Sequence, residues 1–319
     1  MNFSDLASTP VERSGEAMNA GDKAGMLAAM ASSALGGTAV AVTRDVVGGT
    51  ADPVLLGALR FLSGAALLLP VVILLRSRGA PARRAWPRGR DLAVTILLGL
   101  LFFGLFPVLF NAALIHTTAA RAALSLATMP LLTLAAAVFL GVERPTGAKV
   151  GGILIAVAGV AVTLAAGLDI APAGAWRGDL IMVAAALCMS IYNLGARGPI
   201  SRHGPLAFTS IAMTSGAVML AAIALADGGA ARLAAFRAGD WLAVIWLGVG
   251  GSAVAFCLWA LALARTSPGR VAAAVTVNPV TAAITAFFLT GEVPGWHLAV
   301  GLVAVLWGIL LAARPDAPR

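Results

Sequence analysis

Ten residues with hydrogen-bonding side chains stand deep inside long apolar runs of this 319-residue chain: Ser33, Thr38, Asn111, Ser125, Thr128, Tyr192, Asn193, Ser252, Trp259 and Asn278. All are uncharged. Hydroxyls, amides and an indole N–H can hold a polar solute by hydrogen bonds. A serine becomes a nucleophile only with a base in reach. His116, His203 and His297 all fall at the ends of apolar runs or between them. No HExxH, no GxGxxG and no Asp-rich diphosphate-binding motif occurs. The residue types therefore point to binding without catalysis, with no cofactor and no metal.

Each of these positions has a second reading. A buried amide needs partners for both its oxygen and its NH2 group, so Asn111, Asn193 and Asn278 serve either a solute or an interhelical hydrogen bond. Tyr192 is the only tyrosine in the chain. It stands in mid-membrane rather than in the interfacial belt where tyrosines collect, which favours a binding role. Gly250-Gly251-Ser252-Ala253 is similar to the serine turn of intramembrane proteases, but it lacks a histidine nearby.

Three further residues bear on mechanism. Pro130 and Pro279 fall within apolar runs, where a proline removes a backbone donor and kinks a helix. The kinks either shape a bundle or bend it. Arg60 is the only cation well inside an apolar stretch. It lies about 10 Å from the start of its helix at 1.5 Å per residue. That is within snorkelling reach of the interface, and the alternative role is attraction of an anionic group. No Asp or Glu lies near the centre of an apolar run. A carrier that exchanges protons for cations needs one, so the pattern favours movement of a neutral or zwitterionic solute.

The elements that position these residues are membrane helices. Apolar residues make up 60% of the chain and charged residues 11%, with a mean hydropathy of +0.94, against about 25% charged residues in an ordinary soluble domain. Ten apolar stretches can cross a bilayer: 25–43, 53–75, 92–114, 119–141, 147–167, 178–196, 205–226, 241–263, 269–290 and 296–313. They form two copies of one unit. Pro130, Phe139, Leu140, Glu143, Pro145, Gly152 and Gly159 recur as Pro279, Phe288, Leu289, Glu292, Pro294, Gly301 and Gly308, a constant offset of 149. The register extends back through Arg121/Arg270, Thr117/Thr266 and Gly99/Gly248, and with a small shift Ser63 and Gly64 match Ser215 and Gly216. Five crossings per unit make the copies enter from opposite sides, an inverted repeat typical of transporters. The chain is thus expected to be an all-α membrane protein of ten helices in two inverted five-helix repeats. The expected divisions are a disordered cytoplasmic tail at 1–24, a first repeat at 25–168, a second at 177–313 and a short cytoplasmic tail at 314–319.

Formal charge of +8 raises nucleic acid as a partner, but the placement of the charge assigns it to topology. Arg76, Arg78, Arg83, Arg84, Arg88 and Arg90 cluster in one short loop, and such loops stay in the cytoplasm. Alternation from that loop puts sixteen basic residues inside and five outside, with both termini cytoplasmic. Cys188 and Cys257 sit in apolar helices and are not expected to pair. Small-residue spacings such as Gly147/Gly151 suit close helix packing, with a monomer or a weak homodimer as the assembly.

The paired Pro130…Glu143…Gly152…Gly159 and Pro279…Glu292…Gly301…Gly308 patterns, with Leu59-Arg60-Phe61-Leu62, resemble the EamA domain of the drug/metabolite transporter superfamily. The resemblance covers about 25–313. It implies a ten-helix carrier in the cell inner membrane, with a central cavity lined by helices one, three, four, six, eight and nine. Where relatives often carry Trp-Gly in the first helix, this chain has Leu35-Gly36. The resulting expectation is export of small metabolites, amino acids first, by alternating access. Drug or other metabolite efflux is the alternative, and an intramembrane enzyme is a remote one.

Overall fold

The structure is a computed structural model. It describes residues 20–49, 52–77, 86–139, 147–166, 171–266, 271, 274–291, 293 and 295–312, and the regular structure among them is all helical. In lipid every backbone N–H and C=O must find a partner within the protein, and a helix does this within one segment. The membrane helices are α1 (Ala20–Gly49), α2 (Pro53–Ser77), α3 (Gly89–His116), α4 (Ala119–Phe139), α5 (Gly147–Ala166), α6 (Ala175–His203), α7 (Pro205–Ala226), α8 (Ala238–Arg265), α9 (Val277–Thr290) and α10 (Trp296–Ala312). A one-turn helix, Gly229–Arg232, follows α7. Among the described residues, seven helices are long and apolar enough to cross a membrane. Glu143, Pro145, Glu292, Pro294, Arg270 and the arginines at 78, 83 and 84 lie outside the described residues.

Several helices outrun the apolar stretches. α1 begins at Ala20 with Asp22 in its first turn, and α6 continues to Arg202 and His203 in its last turn. An acid at a helix start and bases at its end each favour the helix dipole, so polar residues extend the helix beyond the apolar run. Gly204 alone links α6 to Pro205 of α7, with φ of 87°. Only glycine reaches that conformation without strain, and proline opens the next helix with no N–H to satisfy.

Packing repeats as the sequence does. α1 packs on α8 and α9, and its counterpart α6 packs on α3 and α4. α2 packs on α8 as α7 packs on α3, while α2 meets α7 and α5 meets α10. The match extends to single residues. Gly25 lies against Arg265 and Thr266, and Gly178 lies against His116 and Thr117. Each half therefore completes the other's core. Repeat-related Phe139 and Phe288 are 90% and 78% exposed, a surface for lipid rather than water.

Two irregularities are also duplicated. Leu100–Leu105 in α3 and Val249–Val254 in α8 are π-helical turns, again 149 residues apart. A π turn carries an extra residue and frees carbonyl groups inside a helix, and such turns concentrate at functional sites. The second irregularity corrects an expectation. Pro130 and Pro279 do not kink continuous helices. α4 breaks at Ala127–Thr128, and Pro130 is the second residue of its second half, Met129–Phe139. Pro279 is the third residue of α9, behind the 3-10 turn Ala274–Thr276. The first turn of a helix has no internal acceptor for its N–H groups, so a proline fits there at no cost in hydrogen bonds. Thr128 O accepts instead from Leu131 N at 3.0 Å and Leu132 N at 3.1 Å.

Polar clusters pin the two ends. At one end Arg121 Nη2 bonds Asp179 Oδ2 at 2.5 Å, Thr117 Oγ1 donates to Asp179 Oδ1 at 2.9 Å, and Arg44 Nη1 donates to Leu114 O at 2.8 Å. Arg232 bonds Asp52 and Asp227 at the same end. At the other end Asp91 accepts from Arg202 at 2.7 and 2.8 Å and lies 2.7 Å from His203.

Candidate functional site

The middle of the bundle holds a connected set of rings. Phe102 stacks on Tyr192 with ring centroids 4.3 Å apart, and Phe256 stands edge-on to Phe102 and Phe103 at 5.3 and 5.0 Å. Phe61 meets Phe103 at 5.4 Å. Helices α2, α3, α6 and α8 thus converge on one aromatic wall. The π turn of α3 places Phe102 and Phe103 there.

Amide chemistry lies beside that wall. Trp259 Nε1 donates to Asn193 Oδ1 at 2.9 Å, and Asn193 Nδ2 donates to the sulfur of Met129 at 3.3 Å. Ser190 Oγ bonds Met129 O at 3.1 Å. These bonds tie α6 to α8 and to the break in α4. Met129 is the repeat counterpart of Asn278, just past the equivalent irregularity in α9. Asn278 faces α1, where its Oδ1 would come within 3.2 Å of a Cβ on Gly36. Helices α1, α4 and α9 pack on one another, and each brings a buried polar atom with no hydrogen-bond partner: Ser33 Oγ, Ser125 Oγ and Asn278 Oδ1. Buried polar atoms are nearly always paired, so three free ones on adjoining helices are available to a polar solute.

The remaining expected residues are placed differently. Thr38 and Thr128 bond carbonyls of their own turns, Leu35 O and Ser125 O, both within their own helices. Asn111 Nδ2 donates to Pro53 O at 2.6 Å and fixes the start of α2 against α3. Arg60 does not snorkel. It is 7% exposed and turns into the bundle, where Nε bonds Ser252 Oγ at 2.8 Å and Nη2 bonds Gly251 O at 2.7 Å. The π turn of α8 supplies both partners, which hold the guanidinium below the interface. The aromatic wall and the π turns were not anticipated from sequence. Comparing the copies shows only that Phe102-Phe103 of one repeat stands where the other has Gly251-Ser252, and an extra residue carried by both copies leaves their alignment ungapped.

Such a centre can bind a solute by hydrogen bonds and ring contacts. Ser252 meets an arginine and no histidine, and the described histidines His116 and His203 close the ends of α3 and α6. A two-repeat helical bundle with a polar, aromatic middle and an apolar outer surface is the build of a membrane transporter. The sequence model of the EamA-like transporter family matches residues 23–165 and again 176–314, and the chain belongs to that family. A probable terminal-alkyne amino-acid exporter from Streptantibioticus cattleyicolor is 33% identical over 237 residues, 73% of this chain and 77% of that one. The uncharacterized transporter YcxC of Bacillus subtilis is 29% identical over 230 residues, 70% and 73% of the two chains. A solved crystal structure of a protein 24% identical to this chain superposes with a TM-score of 0.61, over 91% of this chain and 97% of that one, and bears on the fold alone.

Proposed function

We propose that this protein exports amino acids across the inner membrane by alternating access, with both termini in the cytoplasm and residues 25–168 and 177–313 moving as inverted halves. The observation that carries the reading is the chemistry of the centre. Amides, hydroxyls and rings converge there, while the described carboxylates of the membrane helices, Asp22, Asp45, Asp91, Asp179 and Asp240, all stand within a few residues of a helix end. That set suits a zwitterion with a largely apolar side chain. Likeness to a probable amino-acid exporter supports the same class. Ser33, Ser125 and Asn278 offer unpaired oxygens to the ammonium, and Tyr192, Asn193 and Trp259 border the space where the side chain sits. The breaks before Pro130 and Pro279 are the bending points of the two halves. With no central carboxylate, transport equilibrates the solute gradient without a proton gradient.

Counterflow in proteoliposomes at equal pH on both sides tests this. The purified protein is loaded in turn with each of the twenty amino acids. At least one aliphatic or aromatic amino acid is expected to exchange. Exchange of lipophilic drugs alone would transfer the protein to drug efflux, and a strict need for an imposed pH gradient would overturn the uncoupled mechanism. Reporter fusions after residue 85 and at the C-terminus should both signal cytoplasm. A periplasmic signal from either refutes the orientation.

A further inference from the structure

The inverted repeat supplies its own control for Arg60. The α7–α3 seam closes with Gly99 against Ala212 and Ser215 and with Gly216 against Phe103. The α2–α8 seam is its copy, with Gly248 against Arg60 and Ser63 and with Gly64 against Ser252. Position for position, Arg60 stands where the copy has Ala212, and Gly251-Ser252 stands where the copy has Phe102-Phe103. The fold therefore closes this seam without a charge. In the charged copy, the two aromatic side chains are missing and a guanidinium occupies their place, with Nη2 3.6 Å from where a Cβ on Gly251 would be.

No ion pair among the described residues involves Arg60. Its contacts are two neutral hydrogen bonds and the Phe61 ring at 5.1 Å. These orient the cation but leave its charge uncompensated. An unpaired charge inside a membrane bundle is expensive, and such residues mark the paths of ligands. We propose that Arg60 is the counter-charge for a carboxylate ligand. Ser252 and Gly251 fix Nε and Nη2, Nη1 remains as the donor toward the anion, and Phe61, Phe103 and Phe256 receive the apolar part. The ligand class is an apolar monocarboxylate, which includes zwitterionic amino acids and excludes their amides and amines. On the reading given above, this is the carboxylate of the transported amino acid.

The test pairs binding with transport in the full-length purified protein. Binding of phenylacetate and of phenylacetamide is followed by tryptophan fluorescence. The native protein should prefer the acid by about ten- to a hundredfold, the worth of one charge-assisted hydrogen bond. Arg60→Gln keeps a donor for Gly251 O, removes the charge and should abolish the preference, while Arg60→Lys should retain part of it. If Arg60→Gln does not fold, the double variant Arg60→Ala/Ser252→Phe installs the copy's counterparts of these two positions, those of Ala212 and Phe103, and should fold without preference. Equal binding of acid and amide by the native protein overturns the proposal, as does a preference that survives in either uncharged variant. The two readings fail separately. Acid preference without amino-acid exchange sinks export and leaves the carboxylate site standing. Amino-acid exchange with unchanged affinity in Arg60→Gln sinks the site and leaves export standing.

Discussion

Arg121 and Asp179 should be worth more to each other than either is to the fold. Their side chains are 3% and 8% exposed, and they meet at 2.5 Å. Two of the three guanidinium nitrogens, Nε and Nη1, have no partner. Asp179→Leu would strip Arg121 of its only ionic contact among the described residues and strand a buried cation, a loss of about 3–5 kcal/mol. Arg121→Met should cost less, near the lower end of that range, because Thr117 still donates to Asp179 at 2.9 Å. Arg121→Met/Asp179→Leu removes both charges together with the unmet desolvation of Nε and Nη1. It should be at least as stable as the native protein, and a gain of about 1–4 kcal/mol would match similar replacements. The cycle is measured by SDS-driven unfolding in bicelles, followed by tryptophan fluorescence. Raised salt should change the coupling little, since a buried pair is poorly screened. Single losses below about 1 kcal/mol would mean that the pair behaves as a surface bridge. A double variant that loses the sum of the singles would show that the residues do not act as a pair. Either result refutes the reasoning.

Other substitutions probe the site and the seams. Trp259→Phe removes the donor to Asn193 Oδ1 and leaves a buried acceptor unpaired, so stability should fall by about 1–3 kcal/mol and exchange should slow, as read by thermal unfolding and counterflow. Asn193→Leu/Trp259→Phe should recover the stability but not the exchange. Gly99→Ala and Gly248→Ala each push a methyl into the facing helix, at Ala212 and Ser63, and each should cost about 1–3 kcal/mol by overpacking in the same unfolding assay. Pro130→Ala and Pro279→Ala stand at half-helix starts and should change stability by less than about 1 kcal/mol. Exchange should nevertheless slow, and cysteine labelling in a Cys188/Cys257-free background should show access altered from opposite sides by the two variants. Unchanged labelling in both would make the breaks architectural only.

The architecture was legible because its signal is long and periodic. Ten apolar stretches and a constant offset of 149 set the helices and their duplication before any contact is known. Asn193 and Trp259 stand out one at a time as polar groups in apolar runs, but the hydrogen bond between them, across 66 residues, does not. Arg60 was misread for a physical reason. Depth along a helix predicts snorkelling, but the choice between snorkelling and turning inward depends on acceptors in another helix, here Ser252 and Gly251, 192 and 191 residues away. For Asn111 and Thr38 likewise, sequence does not reveal whether a buried polar group meets a solute or a nearby carbonyl, and in the structure each bonds a carbonyl. The breaks at Pro130 and Pro279 read as kinks because a proline in an apolar run looks the same whether it bends a helix or begins one.

The π turns at Leu100–Leu105 and Val249–Val254 carry a record of history. Each adds one residue to a helix that would otherwise keep its regular winding. Two independent gains at one matching position, in halves whose side chains there have diverged as far as Phe102-Phe103 and Gly251-Ser252, would require a coincidence. Inheritance from a single ancestor requires none. The extra residue is therefore older than the gene duplication, and the ancestral five-helix unit already contained it.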